Sequence, residues 1–525
     1  MPAAVKLSIC AIASEVVPLA KSGGLADVAS ALSRQLTAYG HDVRLFMPFY
    51  SQIKRDTLGA TRVETLQGLS ILTGSHEYRV DIWRATLPGS ATPVYLVESD
   101  ALYARPTLYT GDPDEHRRFL VLTRTALECC RRMNFRPHIV HSHDWHTAFA
   151  PLWLRSNYKN DPVFSATRSV MTIHNIGYQG DFAAADVADL DLGPDAYLLH
   201  QDDLKAGHIN ALKHGILHAD AVTTVSPTYA REISTPLYGM GMELALAARG
   251  SAVRGILNGV DYEEWDPRRD KYLPTHYGPG ESPRKAELKR NFLLRQSMTP
   301  TRGRVPLFGI VSRLASQKGF DLLTDTLPKL LQDNDVRLAV VGTGDPVYEK
   351  FFAGLAQKYR GRAWFFAGYD EALAHWIEGA SDAFLMPSQY EPCGLNQMYS
   401  LRYGTIPIVR KTGGLADSVT HFDPATGVGT GIVFNDFDAT AMQWALDTAM
   451  KWYAQPALWE RIVLNAMRCD FSWETQCAEY LKLFAELLKL DVAALVERNV
   501  PEKSAGKVHV ADQAVGDRVG VVPAK

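Results

Sequence analysis

One seven-residue segment occurs twice in this chain. Lys21-Ser-Gly-Gly-Leu-Ala-Asp27 lies near the start, Lys411-Thr-Gly-Gly-Leu-Ala-Asp417 near the end, and the two differ only at Ser22 and Thr412. Each follows a short β-rich run, Leu7 to Ala13 or Ile406 to Val409, and opens a helical pattern. A strand that enters a helix through such a loop belongs to a doubly wound α/β sheet, where ligands gather beyond the carboxyl ends of the strands. Two copies imply two such domains. Paired glycines also let backbone N–H groups approach an anion at a helix N-terminus, where the dipole favours negative charge. A lone Gly-Gly is no more than a tight turn, but two near-identical copies make turn geometry alone a poor account. A diphosphate or a sugar hydroxyl suits either loop.

The rest of the chain supports this reading. With 525 residues it exceeds one ordinary core and suits two or three domains. Strand runs near 7–13, 42–47, 94–97, 139–141, 169–173, 221–225 and 253–257 alternate with helical patterns, which predicts right-handed crossovers and a parallel sheet over residues 1–261. Apolar periodicity fades between 262 and 305, read as a linker. The alternation restarts over 306–472, with strands at 307–311, 338–341, 364–366, 383–386 and 406–409. Ser472 is placed to cap a last helix over 473–494, and residues 495–525 turn small and polar, as a disordered tail does.

Composition narrows the function classes. Hydrophobic residues make up 46% and charged residues 22%, the balance of a soluble globular protein, and the net charge of −3 offers no general attraction to nucleic acid or anionic lipid. Six scattered cysteines, with no CxxC or CxxH pairing, fit reduced thiols in a cytoplasmic protein. No uncharged apolar run approaches the roughly 20 residues of a membrane span.

Chemistry-bearing residues cluster after predicted strands. Arg313 and Lys318 follow the first strand of the second half, spaced to clamp two phosphates, Arg bidentately and Lys as a point charge. Val341-Gly-Thr-Gly-Asp345 lacks the third glycine of a dinucleotide fingerprint, so no nucleotide cofactor is expected. His141-Ser-His-Asp-Trp-His146 has histidines at spacings that point apart on a strand end, which makes zinc the weaker reading. His174 ends another strand and can bond a sugar hydroxyl. Glu391, in Glu391-Pro-Cys-Gly-Leu-Asn-Gln-Met-Tyr399, can accept hydrogen bonds from a hexose or stabilise charge at an anomeric carbon, or simply favour a helix N-terminus.

In the order KSGGLADV, HSHDWH, TIHNIGYQG, TTVSPTYAREI, ILNGVDYEEWDP, VSRLASQKG, EPCGLNQMYSLRYG and KTGGLADSV, the chain resembles the bacterial glycogen synthases and plant starch synthases over about residues 5–490. The resemblance implies two Rossmann-like domains facing across a cleft, the GT-B-type architecture, with the C-terminal helix packing back on domain one. It implies transfer of glucose from ADP-glucose to the non-reducing end of glycogen or another α-1,4-glucan, with retention and without a metal. Carried over position by position, Lys21, Gly23 and Gly24 meet the donor diphosphate, Asp144 and His174 line the glucose and acceptor side, and Asn258 faces the cleft. Arg313 and Lys318 take the phosphates, Glu391 holds the transferred glucose, and Thr412, Gly413 and Gly414 support the donor from domain two. Tyr109 looks like the family's active-site tyrosine.

Three positions depart from or sort within the family pattern. Ser22 replaces the usual Thr, Asn396 replaces the Thr expected beside the phosphates, and Tyr399 stands where many relatives carry a second Glu, which favours the synthase branch over sucrose synthases. No residue visibly reads adenine against uracil, so a UDP-glucose-dependent synthase is the alternative. A non-catalytic glucan-binding homologue is the alternative from another class.

Overall fold

The computed structural model describes residues 5–300 and 303–495. The apolar runs rich in Val and Ile become central strands because both faces of a parallel sheet are covered by helices. In the first domain the parallel strands lie side by side in the order Val253–Gly255, Ala221–Thr224, Arg168–Ile173, Ile139–His143, Ser8–Ile12, Asp42–Pro48 and Pro93–Glu98. The chain runs outward from Ser8–Ile12 in one direction and then returns to lay Ile139–His143 on its other side, with Ile9 opposite Ile139 and Ile12 opposite Ser142. That reversal is a topological switch point, and the loops at 13–23 and 144–149 open above it.

The second domain repeats the device. Its strands lie in the order Ala363–Ala367, Arg337–Gly342, Leu307–Val311, Ala383–Met386, Ile406–Arg410 and Ile432–Phe434, all parallel. The order reverses between Leu307–Val311 and Ala383–Met386, so the loops carrying Arg313, Lys318 and Glu391 meet above one crevice.

Two sequence expectations need correction. The first sheet is mixed, because His76–Thr86 pairs antiparallel with Pro93–Glu98, Leu69–Thr73 and Thr61–Arg62 at one edge. Its hairpin turns at Gly74, whose positive φ of 58° suits the tight connection from Thr73 to His76. The alternation there is hard to read because much of His76–Thr86 faces solvent.

The 262–305 segment is also more than a linker. It contains the helix Ser282–Arg295, which buries Leu288, Phe292 and Leu293 and packs on the helix Glu371–Ala380 of the second domain. Trp265 lies flat on the Tyr399 ring at 3.9 Å and on His375 at 3.7 Å, bracing the helix Asn396–Tyr403 from behind. Lys289 enters the same core as an ion pair with Asp382 at 2.5 Å.

The last helix, Trp473–Leu488, is capped by Ser472 Oγ, which accepts from Thr475 N–H. Its Cys477, Tyr480, Leu481 and Phe484 join a core with Leu7, Ile9, Val28, Leu32, Ile139 and Val170, so the helix crosses back onto the first domain. The two chain crossings run together, with Val260 N–H donating to Phe471 C=O at 2.7 Å. The tail expected after 495 lies outside the described residues. Among those described, no helix is long and apolar enough to cross a membrane.

Candidate active site

Above the second switch point lies a cavity of about 180 Å³ whose lining includes Arg313, Lys318, Phe320, Ser388, Leu395 and Asn396. Lys318 Nζ pairs with Glu391 Oε2 at 2.7 Å, and Ser388 Oγ donates to the same oxygen at 3.1 Å. Glu391 is only 4% exposed, so this pair fixes a buried carboxylate. The Arg313 guanidinium is exposed and makes no ion pair or hydrogen bond among the described residues. Asn396 begins its helix with Nδ2 donating to Val311 C=O at 3.0 Å, which ties the helix N-terminus to the first strand. Two cations and a helix N-terminus at one cavity have the chemistry to hold an anion.

Two glycines permit this convergence. Gly319, at φ 73°, lies where a Cβ would stand 1.9 Å from Pro387 C=O, so only glycine lets the Lys318 loop close on the Glu391 loop. Gly413, at φ 42°, likewise abuts Glu391 C=O. The exposed ring of Tyr369 follows the strand Ala363–Ala367, beside the Gly-Thr-Gly loop through a Gly368 N–H bond to Gly342 C=O.

Above the first switch point, Asp144 sits at φ 52°, an uncommon conformation for a side chain other than glycine, held because Asp144 Oδ1 accepts His174 N–H at 2.7 Å. Burial pushes its carboxyl up to about 7. His174 Nε2 meets His143 Nδ1 at 3.0 Å, and burial lowers both imidazoles, keeping them neutral. Two buried polar atoms here, His174 Nδ1 and Asn258 Oδ1, have no partner among the described residues. Buried polar groups normally find one, so both atoms keep bonding capacity that a ligand could use.

The twin segments differ in the partners they hold. In the first, Ser22 N–H, Ser22 Oγ–H and Gly23 N–H all donate to the carboxylate of Glu15, which also receives the Tyr109 hydroxyl. Glu15 is 3% exposed. Gly24 starts the helix Gly24–Ala38, and Lys21 pairs with Asp27 at 2.9 Å. In the second, Thr412 Oγ–H and Gly413 N–H donate to Glu232 of the first domain at 3.0 and 3.1 Å, and Gly414 N–H to Glu391 C=O at 3.1 Å. Thr412 and Gly413 thus contact the first domain, while Gly414 ties its loop to the Glu391 loop within the second. Asp417 adds to it by accepting from Thr228 N–H and Oγ–H, both at 2.6 Å. Neither Glu15 nor Glu232 was singled out from sequence.

Among the described residues, two clusters have the donor set for a cation. His116, Asp186 and Asp189 already enclose the Arg117 guanidinium, 2.6 Å from Asp189. Glu264, Glu371 and His375 form the other, where His375 is tied to Asp270 at 2.8 Å. Neither includes a residue of the HSHDWH segment.

Two Rossmann-like domains, with a cavity lined by Arg313 and Lys318 above one switch point, have the architecture of a glycosyltransferase of the two-domain class. Comparison with known proteins narrows this. Residues 8–248 match the starch synthase catalytic domain, and 298–461 match the glycosyl transferases group 1. Glycogen synthase 1 of Geobacter sulfurreducens is 40% identical over 503 residues, 94% of this chain and 99% of its own. The glycogen synthase of Myxococcus xanthus is 42% identical over 489 residues, covering 92% and 100%. The catalytic domain of starch synthase IV from Arabidopsis thaliana, solved with ADP and acarbose, superposes with a TM-score of 0.84 at 33% identity over 92% of this chain and 100% of that one. A sucrose-phosphate synthase from Thermosynechococcus elongatus shares the fold, with a TM-score of 0.58 at 18% identity. The chain belongs to the starch synthase and bacterial glycogen synthase family.

Proposed function

We propose that this enzyme transfers glucose from ADP-glucose to the 4-hydroxyl at the non-reducing end of an α-1,4-glucan, with retention. The observation that carries this reading is the convergence of Arg313, the Lys318–Glu391 pair and the Asn396 helix N-terminus on one cavity. Negative charge grows on the phosphate oxygens as the glycosidic bond breaks, and preoriented cations and amides aimed there lower the barrier most. Glu391, anchored by Lys318 and Ser388, presents its remaining acceptor capacity to hexose hydroxyls. His174 Nδ1 and Asn258 Oδ1 supply polar contacts from the opposite side, and Asp144 supports His174 through its main chain. The Tyr369 ring offers a stacking face for the base, on the same strand-end edge as the phosphates. Support for the adenine nucleotide and the glucan comes from the Arabidopsis relative, solved with ADP and acarbose.

Domain one is docked on domain two through Glu232, Thr228 and Ser226, the last donating to Pro392 C=O at 2.7 Å. This docking sets the two halves of the site around one sugar and helps to exclude water from it. Six free cysteines and the mild negative charge support a cytosolic reading. The direct test is nucleotide release on mixing the enzyme with ADP-glucose and a glucan primer. Release coupled to primer growth supports the reading, and no release counts against it.

A further inference from the structure

We propose that Tyr178 of the first domain and Tyr390 of the second form an aromatic rim that holds the glucan acceptor at the mouth of the site. This rests on the glucosyl-transfer reading above and places the one substrate that reading leaves without a binding surface. The order of strands sets the direction. Tyr369, then Arg313 with Lys318, then Glu391 follow the strands Ala363–Ala367, Leu307–Val311 and Ala383–Met386, which lie in that order across the second sheet. By that reading the base, the diphosphate and the transferred glucose run one way along the strand ends, so the acceptor joins at the glucose end. Tyr390 stands immediately before Glu391, and Tyr178 is four residues beyond His174.

The two loops meet at Gly177. A Cβ there would stand 3.7 Å from Met240 Sδ and 3.9 Å from the Tyr390 hydroxyl, so Tyr390 reaches the first domain beside Tyr178 and Met240. Burial above all, and then the nearby Tyr178 hydroxyl and Glu391 carboxylate, push the Tyr390 hydroxyl up, in keeping with this grouping. Tyr178 is 56% exposed and Met240 44%, yet their loops are pinned. Tyr178 N–H donates to Asn175 C=O at 3.2 Å and Gly177 N–H to Asn175 Oδ1 at 2.9 Å. The Gln179 amide donates to both Ile176 C=O and Met240 C=O, at 3.1 and 2.9 Å. A ring presented to water by a fixed loop loses little freedom when a ligand covers it. Pyranose rings carry C–H groups on their faces and hydroxyls around their edges, and a tyrosine, with an apolar face and a hydroxyl at its tip, matches both.

The test uses full-length enzyme and maltoheptaose. In calorimetric titration with maltoheptaose alone, Tyr178→Ala should weaken Kd about 10-fold, the scale of one lost ring contact. In assays with ADP-glucose, KM for maltoheptaose should rise by the same factor while KM for ADP-glucose changes less than about 3-fold. Tyr178→Trp keeps a stacking face and should stay close to wild type in both measurements. Tyr390→Ala should weaken maltoheptaose binding as Tyr178→Ala does, and Tyr390→Phe should not. Tyr197→Ala, which removes a ring 70% exposed on the turn Gly193–Leu198, should leave both values unchanged. Unaltered maltoheptaose binding in either Tyr178→Ala or Tyr390→Ala overturns the proposal. So does a Trp variant as poor as Ala, or a loss that falls on ADP-glucose instead. If the wild type transfers no glucose from any donor, the functional reading falls, while the Kd values for maltoheptaose still decide the rim.

Discussion

Lys318 and Glu391, 73 residues apart in sequence, meet as a 2.7 Å ion pair in the second domain, with the carboxylate almost fully buried. The pair joins the loop after Leu307–Val311 to the loop after Ala383–Met386. Removing the ammonium takes away a stabiliser of developing charge and also leaves a buried carboxylate without its partner. Lys318→Ala and Arg313→Ala should each lower kcat by about 100-fold or more. Initial rates at saturating donor test this, and near-normal turnover in either variant would remove that cation from the mechanism.

Glu391→Ala should nearly abolish transfer while the fold survives, since its neighbours are the flexible Lys318 ammonium and the Ser388 hydroxyl. Because both side chains act on one site, the Lys318→Ala/Glu391→Ala double variant should be far less impaired than the product of the two single effects. Additive losses would show that the two residues work independently.

Much of this site was legible before any coordinates. Arg313, Lys318 and Glu391 lie on loops that follow strands, and the strand pattern alone placed those loops at one end of a parallel sheet. The partner of the second glycine loop was not legible, because it comes from elsewhere in the chain. Glu232 is 180 residues from Thr412, and no local pattern announces that contact. The helix Ser282–Arg295 was hidden for another reason, since its few core residues sit among Lys, Arg and Glu.

Glu232→Ala should weaken the domain contact. It leaves the buried Thr412 hydroxyl and Gly413 N–H without their acceptor, each orphaned group costing about 1–3 kcal/mol. Urea unfolding should show a lower midpoint, and Glu232→Gln, which keeps one acceptor oxygen, should recover part of it. Equal midpoints for Ala and wild type would mean that the contact contributes nothing to stability.

Asp144 gives a pH prediction of definite sign. Burial pushes its carboxyl up to about 7, so between roughly pH 4 and 7 the folded protein keeps a proton that the unfolded chain has released. Its contribution to stability is present at low pH and is lost as pH rises through 7. Asn has no such titration. Asp144→Asn should therefore gain in Tm relative to wild type between pH 5 and pH 8, even as its activity falls through weaker support of His174. A relative Tm that declines over that range contradicts the assigned environment.

Tyr369→Ala should raise KM for the sugar nucleotide by about 10-fold, the scale of one lost base-stacking contact, with kcat little changed. Tyr369→Phe should behave like wild type. A KM unaltered by Ala would place the base elsewhere.

The most direct test of the whole account is a paired donor assay on the wild-type enzyme with one maltooligosaccharide primer, measuring nucleotide release together with product length and linkage. The account predicts that ADP-glucose yields one ADP for each glucose added, with new linkages all α-1,4, and that UDP-glucose is a much poorer donor. Nucleotide release without primer growth, β-linked product, or equal use of both donors would contradict it.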